Sequence, residues 1–426
     1  MLRCWTFLAA GVVLFATTVC LADIDQAEVE RLVGELNAPA LGDRRAAEAK
    51  LIKMGSEILP LLPATDRQTP PEVRMRLSRI RETLQRRESH EILLPSRVTV
   101  HAVEEPIWNV LQSMAEQTGN RIVDARRRFN QPLESPTVTI HLQAAPFWPS
   151  LDDLLERTGL SVYPYTGEDA IGIVARTKNQ FPPTETAVYF GPFRFQPTTL
   201  VARRDARFRD SASLHVDVEL AWEPRLSPVR ISQKMSRVWA FDEQGRAIPP
   251  LNANAVVELA VKPNVPAVTL SLPFAPAPRG STRIAKLQGS LEVLMPGPLE
   301  AFRFPTVSET IGNTERISRT QVTLSRIRRT DKVFEIWIRV RYDQAYDALE
   351  SHRGWFLNNP AYLLTEEGKR IENRGNAATD QSENEFGLTY FFEGIDSLEG
   401  CTFVYETPGS LQLSPIDYVI QDLPLP

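Results

Sequence analysis

The chain has 426 residues and a formal net charge of −5, with 24% charged and 42% hydrophobic residues. This composition is typical of folded globular domains and excludes a disordered or fibrous chain. The slight negative charge excludes the strong basic field that draws a whole protein to nucleic acid, so we expect no nucleic-acid partner. Proline is frequent, with 33 residues. Because central helices and strands exclude proline, the chain must contain many turns and edges.

The first 22 residues have the pattern of a secretory signal peptide. Arg3 precedes an uncharged, mostly apolar stretch, residues 5–19, that is short for a membrane span. Cys20-Leu21-Ala22 then provides small residues for cleavage before Asp23. We therefore predict an exported protein of the periplasm or cell surface, with no transmembrane segment after removal of residues 1–22.

Only one cysteine, Cys401, lies beyond this predicted signal peptide. A lone cysteine in an oxidising compartment is best kept buried. Cys401 precedes the strand-like run Thr402-Phe403-Val404-Tyr405, so we interpret it as a small core side chain and not as a nucleophile.

Residues 23–90 form a predicted α-helical segment. Apolar residues recur at helical spacing in three stretches: Val29, Leu32, Val33 and Leu36, then Ala47, Leu51 and Met54, then Val73, Leu77, Ile80 and Leu84. Short paired helices of this kind resemble HEAT-type repeats, which implies a segment that stacks by one apolar face. The arginines of the last helix alternate with glutamates, so we interpret them as a solvated face.

Residues 95–177 contain an internal repeat. Residues 98–123 align without a gap onto residues 138–163, and each copy follows the order strand, helix, strand. The identical pairs are Val98/Val138, Thr99/Thr139, His101/His141, Pro106/Pro146, Trp108/Trp148, Leu111/Leu151, Glu116/Glu156, Thr118/Thr158 and Gly119/Gly159. One copy is too small to fold alone, so we expect both to share one core that includes Leu111, Met114, Leu151 and Leu154.

This βαβ-βαβ pattern resembles the short N-terminal domain of secretins and TonB-dependent receptors. The resemblance is carried by Val98-Thr99-Val100, Val138-Thr139-Ile140 and the helical stretches 111–119 and 151–159. It implies a module that binds periplasmic partner proteins and catalyses nothing. The order of all the predicted regions also resembles a group of secreted bacterial multidomain proteins that carry no assigned activity.

Residues 181–426 are predicted to be all-β. Apolar and polar residues alternate with a period of two in several stretches, for example in residues 214–222, 268–274 and 336–342. We predict two tandem antiparallel β-sandwiches, residues 181–306 and 307–426. They show signs of duplication, because residues 238–246 parallel residues 361–369. The predicted fold class is therefore multidomain α+β.

Sequence motifs for catalysis or metal binding are missing. There is no Gly-rich phosphate loop with Lys-Ser/Thr, no G-x-S-x-G, no H-E-x-x-H and no C-x-x-C. We therefore predict a protein that is not an enzyme and uses no cofactor or metal. His101 and His141 occupy equivalent repeat positions, where pseudo-symmetry would unite them as two metal ligands. We favour the alternative, an outward strand residue copied by duplication, because two ligands alone make a poor site.

The candidate binding surface contains two tryptophans. Trp337 lies on the polar face of its predicted strand beside Arg339 and Arg341, and Trp355 precedes Asn358. Such a set could anchor a protein partner or stack on a sugar, but a covering neighbouring domain, which we favour, would also explain it. Our leading hypothesis is a protein-interaction or scaffold module whose partner is another envelope protein. The alternative is an envelope carbohydrate-binding protein that uses the C-terminal sandwiches.

Overall fold

The computed structural model describes residues 26–63, 69–208, 212–349 and 354–426. The predicted signal peptide, residues 1–22, lies outside the described residues. The chain divides into two compact units, of which the first ends at Leu84 and the second runs from Gln85 to Pro426. The predicted multidomain α+β class is confirmed. No helix among the described residues combines the length and the apolar character needed to cross a bilayer.

The first unit is helical, and its core consists of the apolar residues that recur at helical spacing. Its elements are α1 (Gln26–Glu35), α2 (Leu41–Met54), a 3₁₀ helix (Ser56–Leu61) and the first part of α3 (Pro71–Ile92). Two arginines of α3 are buried as well. Arg76 forms an ion pair with the buried Glu48, and Arg81 donates to the carbonyl oxygens of Leu62 and Pro63. These two arginines therefore hold the helices together and do not belong to a solvated face.

The second unit begins with the βαβ repeat domain. Its elements are β1 (Arg97–Pro106), α4 (Ile107–Thr118), β2 (Ile122–Asp124), β3 (Thr137–Pro146), α5 (Phe147–Arg157), β4 (Leu160–Tyr163) and β5 (Ile171–Ala175). Strands β1 and β3 form an antiparallel ribbon, and β5 lies between β2 and β4 in a second sheet. One apolar cluster contains residues of both repeats, including Leu111, Met114, Leu151 and Leu154.

The two repeats are related by symmetry in their backbone as well as in sequence. Glu104 and Ala144 have φ angles of 50° and 46°, which are uncommon for residues other than glycine. The Glu104 amide donates to Thr139 Oγ1 and the Ala144 amide to Thr99 Oγ1, both at 3.1 Å. The ladder shifts register at both places, as in a β-bulge. The β1–β3 ribbon therefore has pseudo-two-fold symmetry.

The first β-sandwich follows. Its elements are α6 (Pro183–Thr186), β6 (Val188–Phe190), β7 (Phe193–Arg203), β8 (Ser213–Trp222), β9 (Arg230–Asp242), β10 (Ala247–Ile248), β11 (Val256–Leu259), β12 (Ala267–Phe274) and β13 (Arg283–Pro296). One sheet has the order β12-β8-β7-β6, and the other contains β10, β9 and β13, with β11 also on β9. The alternating residues of β8, from Leu214 to Trp222, face the core between the sheets.

The second β-sandwich contains the rest of the chain except its last strand. Its elements are β14 (Leu299–Phe304), β15 (Thr314–Ile317), β16 (Thr320–Thr330), β17 (Val333–Tyr342), a 3₁₀ helix (Gly354–Asn358), β18 (Ala361–Leu364), β19 (Arg370–Glu372), β20 (Gly375–Gln381), β21 (Glu385–Glu393) and β22 (Thr402–Pro408). The sheets have the orders β15-β16-β17-β21-β20 and β14-β22-β18-β19. Cys401 is buried in this core, and burial raises the pKa of its thiol.

The two sandwiches contain the same hairpin turn at the segments that the sequence suggests are duplicated. The Asp242 amide donates to Arg246 O and the Thr365 amide to Lys369 O, both at 3.0 Å. Gly245 and the equivalent Gly368 have φ angles of 76° and 78°, a conformation that glycine adopts without steric cost. The structural equivalence supports an origin of both sandwiches by duplication.

The last strand of the chain, β23 (Leu411–Pro424), belongs to the first sandwich. It pairs with β13 along its whole length, ending at the pair Pro296–Leu411. The same register continues in the second sandwich, where β14 pairs with β22 from Leu299–Pro408 onwards. Residues 283–304 and 403–424 therefore form one antiparallel ribbon, the crossing ribbon, that runs through both sandwiches.

At the centre of the crossing ribbon the two chains bond reciprocally. The Gly297 amide donates to Ser410 O at 2.9 Å, and the equivalent Gly409 amide donates to Pro298 O at 3.0 Å. Each sandwich thus receives a strand from the other half, β23 in the first and β14 in the second. The predicted boundary at residues 306/307 follows chain order, whereas the sheets exchange one strand across it.

A buried carboxylate joins the repeat domain to the first sandwich. Glu223 is fully buried and accepts hydrogen bonds from the Ser96 amide, the Asn120 side chain and the Arg225 side chain. Arg225 in turn donates to the carbonyl oxygen of Ile92 at the end of α3. This network fixes the chain as it enters the repeat domain.

The strand exchange predicts which sandwich depends on the end of the chain. Tyr418 on β23 is buried and stacks on Phe195 of β7, with ring centroids 4.9 Å apart. We expect Tyr418→Ala to lower the free energy of unfolding by about 3–5 kcal/mol. In hydrogen exchange, amides of β7 and β9 should lose more protection than those of β17.

The matched control is Phe403→Ala on β22, which is buried in the second sandwich. It should shift the loss of protection to β17 and β21. If Tyr418→Ala exposes the second sandwich before the first, the strand exchange is wrong.

Candidate binding surfaces

Trp337 lies on the outward face of β17. Its neighbours Ile336, Ile338 and Val340 are buried in the core of the second sandwich, while Trp337 itself is partly exposed. Successive side chains of a strand point to opposite faces, so Trp337 faces away from that core. This is the strand register that the sequence predicts.

Two arginines of the neighbouring strand β16 lie over the Trp337 ring. Arg326 is the ladder partner of Trp337, and a register shift just before it turns Arg326 and Arg328 to the outward face. Their guanidinium carbons lie 5.2 Å and 5.4 Å from the ring centroid, within cation–π range. The contacts that the structure gives for this ring therefore come from its own sheet, where we expected a neighbouring domain.

The outward face carries positive charge that its own carboxylates neutralise only in part. Arg328 forms an ion pair with Glu335 at 2.8 Å and Arg339 with Glu385 at 3.3 Å, with about half of each arginine side chain exposed. The hydrogen bond from Arg328 holds the pKa of Glu335 below its ordinary value.

Arg326 and Arg341 are exposed and form no ion pair within the described part of the chain. We call the set of Trp337, Arg326, Arg328, Arg339 and Arg341 the Trp337 surface. Its aromatic ring and its cations lie side by side on one face of a five-stranded sheet.

Trp355 and Asn358 do not lie on the Trp337 surface. Trp355 contacts Tyr342, whose ring centroid is 6.1 Å away, and Tyr342 points into the core. The Trp355 indole N–H donates to Ala348 O at 2.9 Å. We predicted one candidate surface that contains both tryptophans. This prediction is wrong, because the structure places Trp337 and Trp355 on opposite sides of β17.

Trp355 and Asn358 instead line a cleft of about 700 Å³. The other walls include Trp222 and segments 226–229 and 259–265 of the first sandwich, and the centre of the crossing ribbon at Pro296, Gly297 and Pro408. The cleft therefore forms where the two sandwiches meet, and its lining is largely apolar. Since the indole N–H of Trp355 is already bonded within the fold, the ring serves as a wall of this joint.

The most deeply buried carboxylate of the repeat domain contacts the first sandwich. Asp152 on α5 is fully buried and accepts hydrogen bonds from Arg194 and from the Tyr189 hydroxyl, both at 2.7 Å. Burial and the nearby Asp152 charge raise the pKa of Tyr189. Burial also raises the pKa of Glu219, which lies 3.7 Å from Arg194.

Asp152 lies beyond the first turn of α5 and is half of a buried ion pair. Asp152 and Arg194 are only 0% and 1% exposed, so a substrate in solvent cannot touch them. Perturbed pKa values often mark active sites, yet the raised pKa values of Tyr189 and Glu219 belong to the joint between two domains. The sequence contains no local signal for this pair, because Arg194 lies 42 residues further along the chain than Asp152.

The structure brings His101 and His141 together. They pair across the β1–β3 ladder, and their Nδ1 atoms are 3.0 Å apart. Both side chains are exposed. Among the described residues, no group of three or more histidine, cysteine, aspartate or glutamate side chains is placed to hold a metal ion. The pair is thus a two-nitrogen constellation open to solvent.

Comparisons with known proteins add little to this picture. No protein-family model and no curated protein matches the sequence. Among solved structures, a conserved domain protein from Bacillus anthracis is 7% identical with a TM-score of 0.17, and the match covers 55% of this chain and 89% of that chain. Bovine butyrophilin is 8% identical with a TM-score of 0.16, covering 48% and 90%. Similarities of this size carry no argument about function.

The Asp152–Arg194 pair predicts a strong energetic coupling. Asp152→Leu removes the closest partner of the buried Arg194 and leaves it only the more distant Glu219, at 3.7 Å, among the described residues, so we expect a loss of about 3–5 kcal/mol in unfolding free energy. The double variant with Arg194→Met replaces both charges by apolar groups and should recover most of that loss. Urea denaturation of the wild type, both single variants and the double variant measures the coupling. Additive losses would show that the two side chains do not depend on each other.

The position of Trp337 predicts a small effect on stability. We expect Trp337→Ala to lower the unfolding free energy by about 1 kcal/mol, the size of an exposed cation–π contact. Ile338→Ala, the adjacent change on the core face, should cost about 2–5 kcal/mol. Urea denaturation compares the two variants. Equal losses of unfolding free energy in the two variants would show that Trp337 is packed in an interior and is not a surface residue.

Proposed function

We propose that the protein is a non-enzymatic interaction module of the bacterial envelope that binds an acidic segment of another envelope protein. The observation that carries this proposal is the Trp337 surface, where a partly exposed tryptophan lies among four arginines. Tryptophan and arginine are the residues most enriched among binding hot spots. The signal-peptide pattern and the family resemblances support an exported location.

The charge of the Trp337 surface favours an acidic protein segment. Arg326 and Arg341 form no ion pair among the described residues, so each has guanidinium N–H groups to offer. A guanidinium group matches a carboxylate with two parallel hydrogen bonds. A glutamate- or aspartate-bearing segment that crosses this face of the sheet would thus meet positive charge over the indole, at Arg326, and further along the strand of Trp337, at Arg341.

The geometry around the indole favours a protein partner over a carbohydrate. A sugar ring binds tryptophan by stacking on an uncovered ring face, but two guanidinium groups already lie over Trp337. Displacing them would remove cation–π contacts worth about 0.5–1 kcal/mol each. Carboxylates need no such displacement, because they bind the guanidinium groups where these already lie.

The rigid sheet beneath the Trp337 surface suits a scaffold protein. Trp337 and the arginines project from β16 and β17, two central strands of a five-stranded sheet whose other face is packed core. Groups on such strands lose little conformational freedom on binding, which favours affinity. Tyr189, whose pKa is raised by burial and by the nearby Asp152 charge, lies at a domain joint, which fits a structural role better than a catalytic one.

The test uses the full mature chain and a fluorescent peptide that alternates glutamate with leucine. We expect saturable binding that weakens as salt rises, and no binding of the matching lysine–leucine peptide. Trp337→Ala should weaken binding by about 2 kcal/mol, roughly thirtyfold. The double variant Arg326→Glu/Arg341→Glu should abolish it.

The matched control is Arg127→Glu/Arg204→Glu, which changes the same net charge at exposed arginines elsewhere. It should bind as the wild type does. Equal losses in both double variants would show that only net charge matters and would contradict the proposed surface. Binding of chitin or peptidoglycan oligosaccharides that Trp337→Ala abolishes, without any peptide binding, would favour the carbohydrate alternative.

A further inference from the structure

The two histidines of the repeat domain face each other across the pseudo-two-fold axis of the β1–β3 ribbon. His101 and His141 are direct ladder partners and occupy equivalent positions of the two repeats. The same ring atom, Nδ1, approaches from both sides to 3.0 Å, with the rings nearly perpendicular at 80°. Both side chains are exposed, so an ion from solvent has access to them.

The distance between the nitrogen atoms suits a shared metal ion. Imidazole nitrogen binds such ions at about 2.0–2.1 Å, so two nitrogens 3.0 Å apart subtend an angle of about 91–97° at the ion. This is the angle between neighbouring ligands in a square-planar or tetragonal complex, the geometry of Cu²⁺ and Ni²⁺. A tetrahedral ion such as Zn²⁺ would need the nitrogens further apart.

We propose that His101 and His141 form a binding site for a divalent transition-metal ion of tetragonal preference, Cu²⁺ first. Imidazole is a preferred ligand of Cu²⁺, which also binds most tightly in the first-row series. In the metal-free pair one Nδ1–H donates a hydrogen bond to the other Nδ1. On binding, both Nδ1 atoms supply lone pairs, and the donor ring carries its proton on Nε2. Water fills the remaining positions, because only two protein ligands are present.

The surroundings of the pair hold it ready for the ion. On each strand a bulge follows the histidine. The amide of Glu104 in one bulge donates to Thr139, and the amide of Ala144 in the other donates to Thr99. These bonds fix the register that sets the two imidazoles opposite each other. Within the described residues, each imidazole has only the other as hydrogen-bond partner. An ion therefore displaces one solvent-exposed hydrogen bond between the two rings, which contributes little to stability.

The test titrates CuCl₂ alone into the full mature chain by isothermal calorimetry. We expect the wild type to bind one more equivalent of Cu²⁺ than His101→Ala/His141→Ala. Each single variant should bind that ion at least about tenfold more weakly. Loss of a residue that only supports a metal ligand already lowers metal affinity by about tenfold or more, and here a ligand itself is lost. Electron paramagnetic resonance of the site should show two coordinating nitrogens. His215→Ala, on β8 of the first sandwich, is the matched histidine control and should bind as the wild type does.

A second readout separates binding from damage to the fold. Because the ion would tie β1 to β3, saturating Cu²⁺ should raise the melting temperature of the wild type above that of the double variant. Both histidines are exposed, so without metal the variants should melt with the wild type. Equal Cu²⁺ binding by the wild type and the double variant would overturn the proposal. Tighter binding of Zn²⁺ than of Cu²⁺ at this pair would contradict the proposed tetragonal coordination.

Discussion

The crossing ribbon is the constraint on which the second unit depends. Residues 283–304 and 403–424 keep one antiparallel register through both sandwiches, and the amides of Gly297 and Gly409 bond reciprocally at its centre. A side chain on Gly297 would come within 2.8 Å of Ser410 Oγ, so the chains can pass this closely only at glycine. Because each sandwich contains a strand of the other half, neither can complete its sheets alone.

Buried ionic contacts also fix the repeat domain against the first sandwich. Asp152 and Glu223 are fully buried carboxylates whose partners lie across the boundary with the first sandwich or at the chain entry. Leaving either without its partner would cost far more than the pair itself contributes, so such groups favour one relative placement of the domains. Together with the crossing ribbon, they give the Trp337 surface a firm support. A surface of this kind can bind without first being ordered.

Patterns in the sequence predicted much of this architecture, because strand alternation depends on neighbouring residues only and repeats can be aligned without knowledge of the fold. The outward position of Trp337 followed from its buried neighbours Ile336 and Ile338. The sequence did not reveal that Arg326 lies over Trp337, because strand pairing is not local and a register shift in β16 reverses the alternation there. The prediction of one surface with both Trp337 and Trp355 was wrong for the same reason. Two residues can be close along the chain while the later segment packs on the opposite side of the sheet.

Duplication explains why the most unusual contacts lie at pseudo-two-fold axes. A residue on such an axis meets its own copy, so two like side chains or two like backbone groups must be accommodated face to face. At the axis of the crossing ribbon the copies are glycines, and the result is a close backbone crossing that joins the sandwiches. At the axis of the β1–β3 ribbon the copies are His101 and His141, whose Nδ1 atoms meet at 3.0 Å. Two lone pairs that converge in this way need a proton or a cation between them. Symmetry alone therefore turns one ordinary outward residue into a pair with the chemistry of a metal ligand.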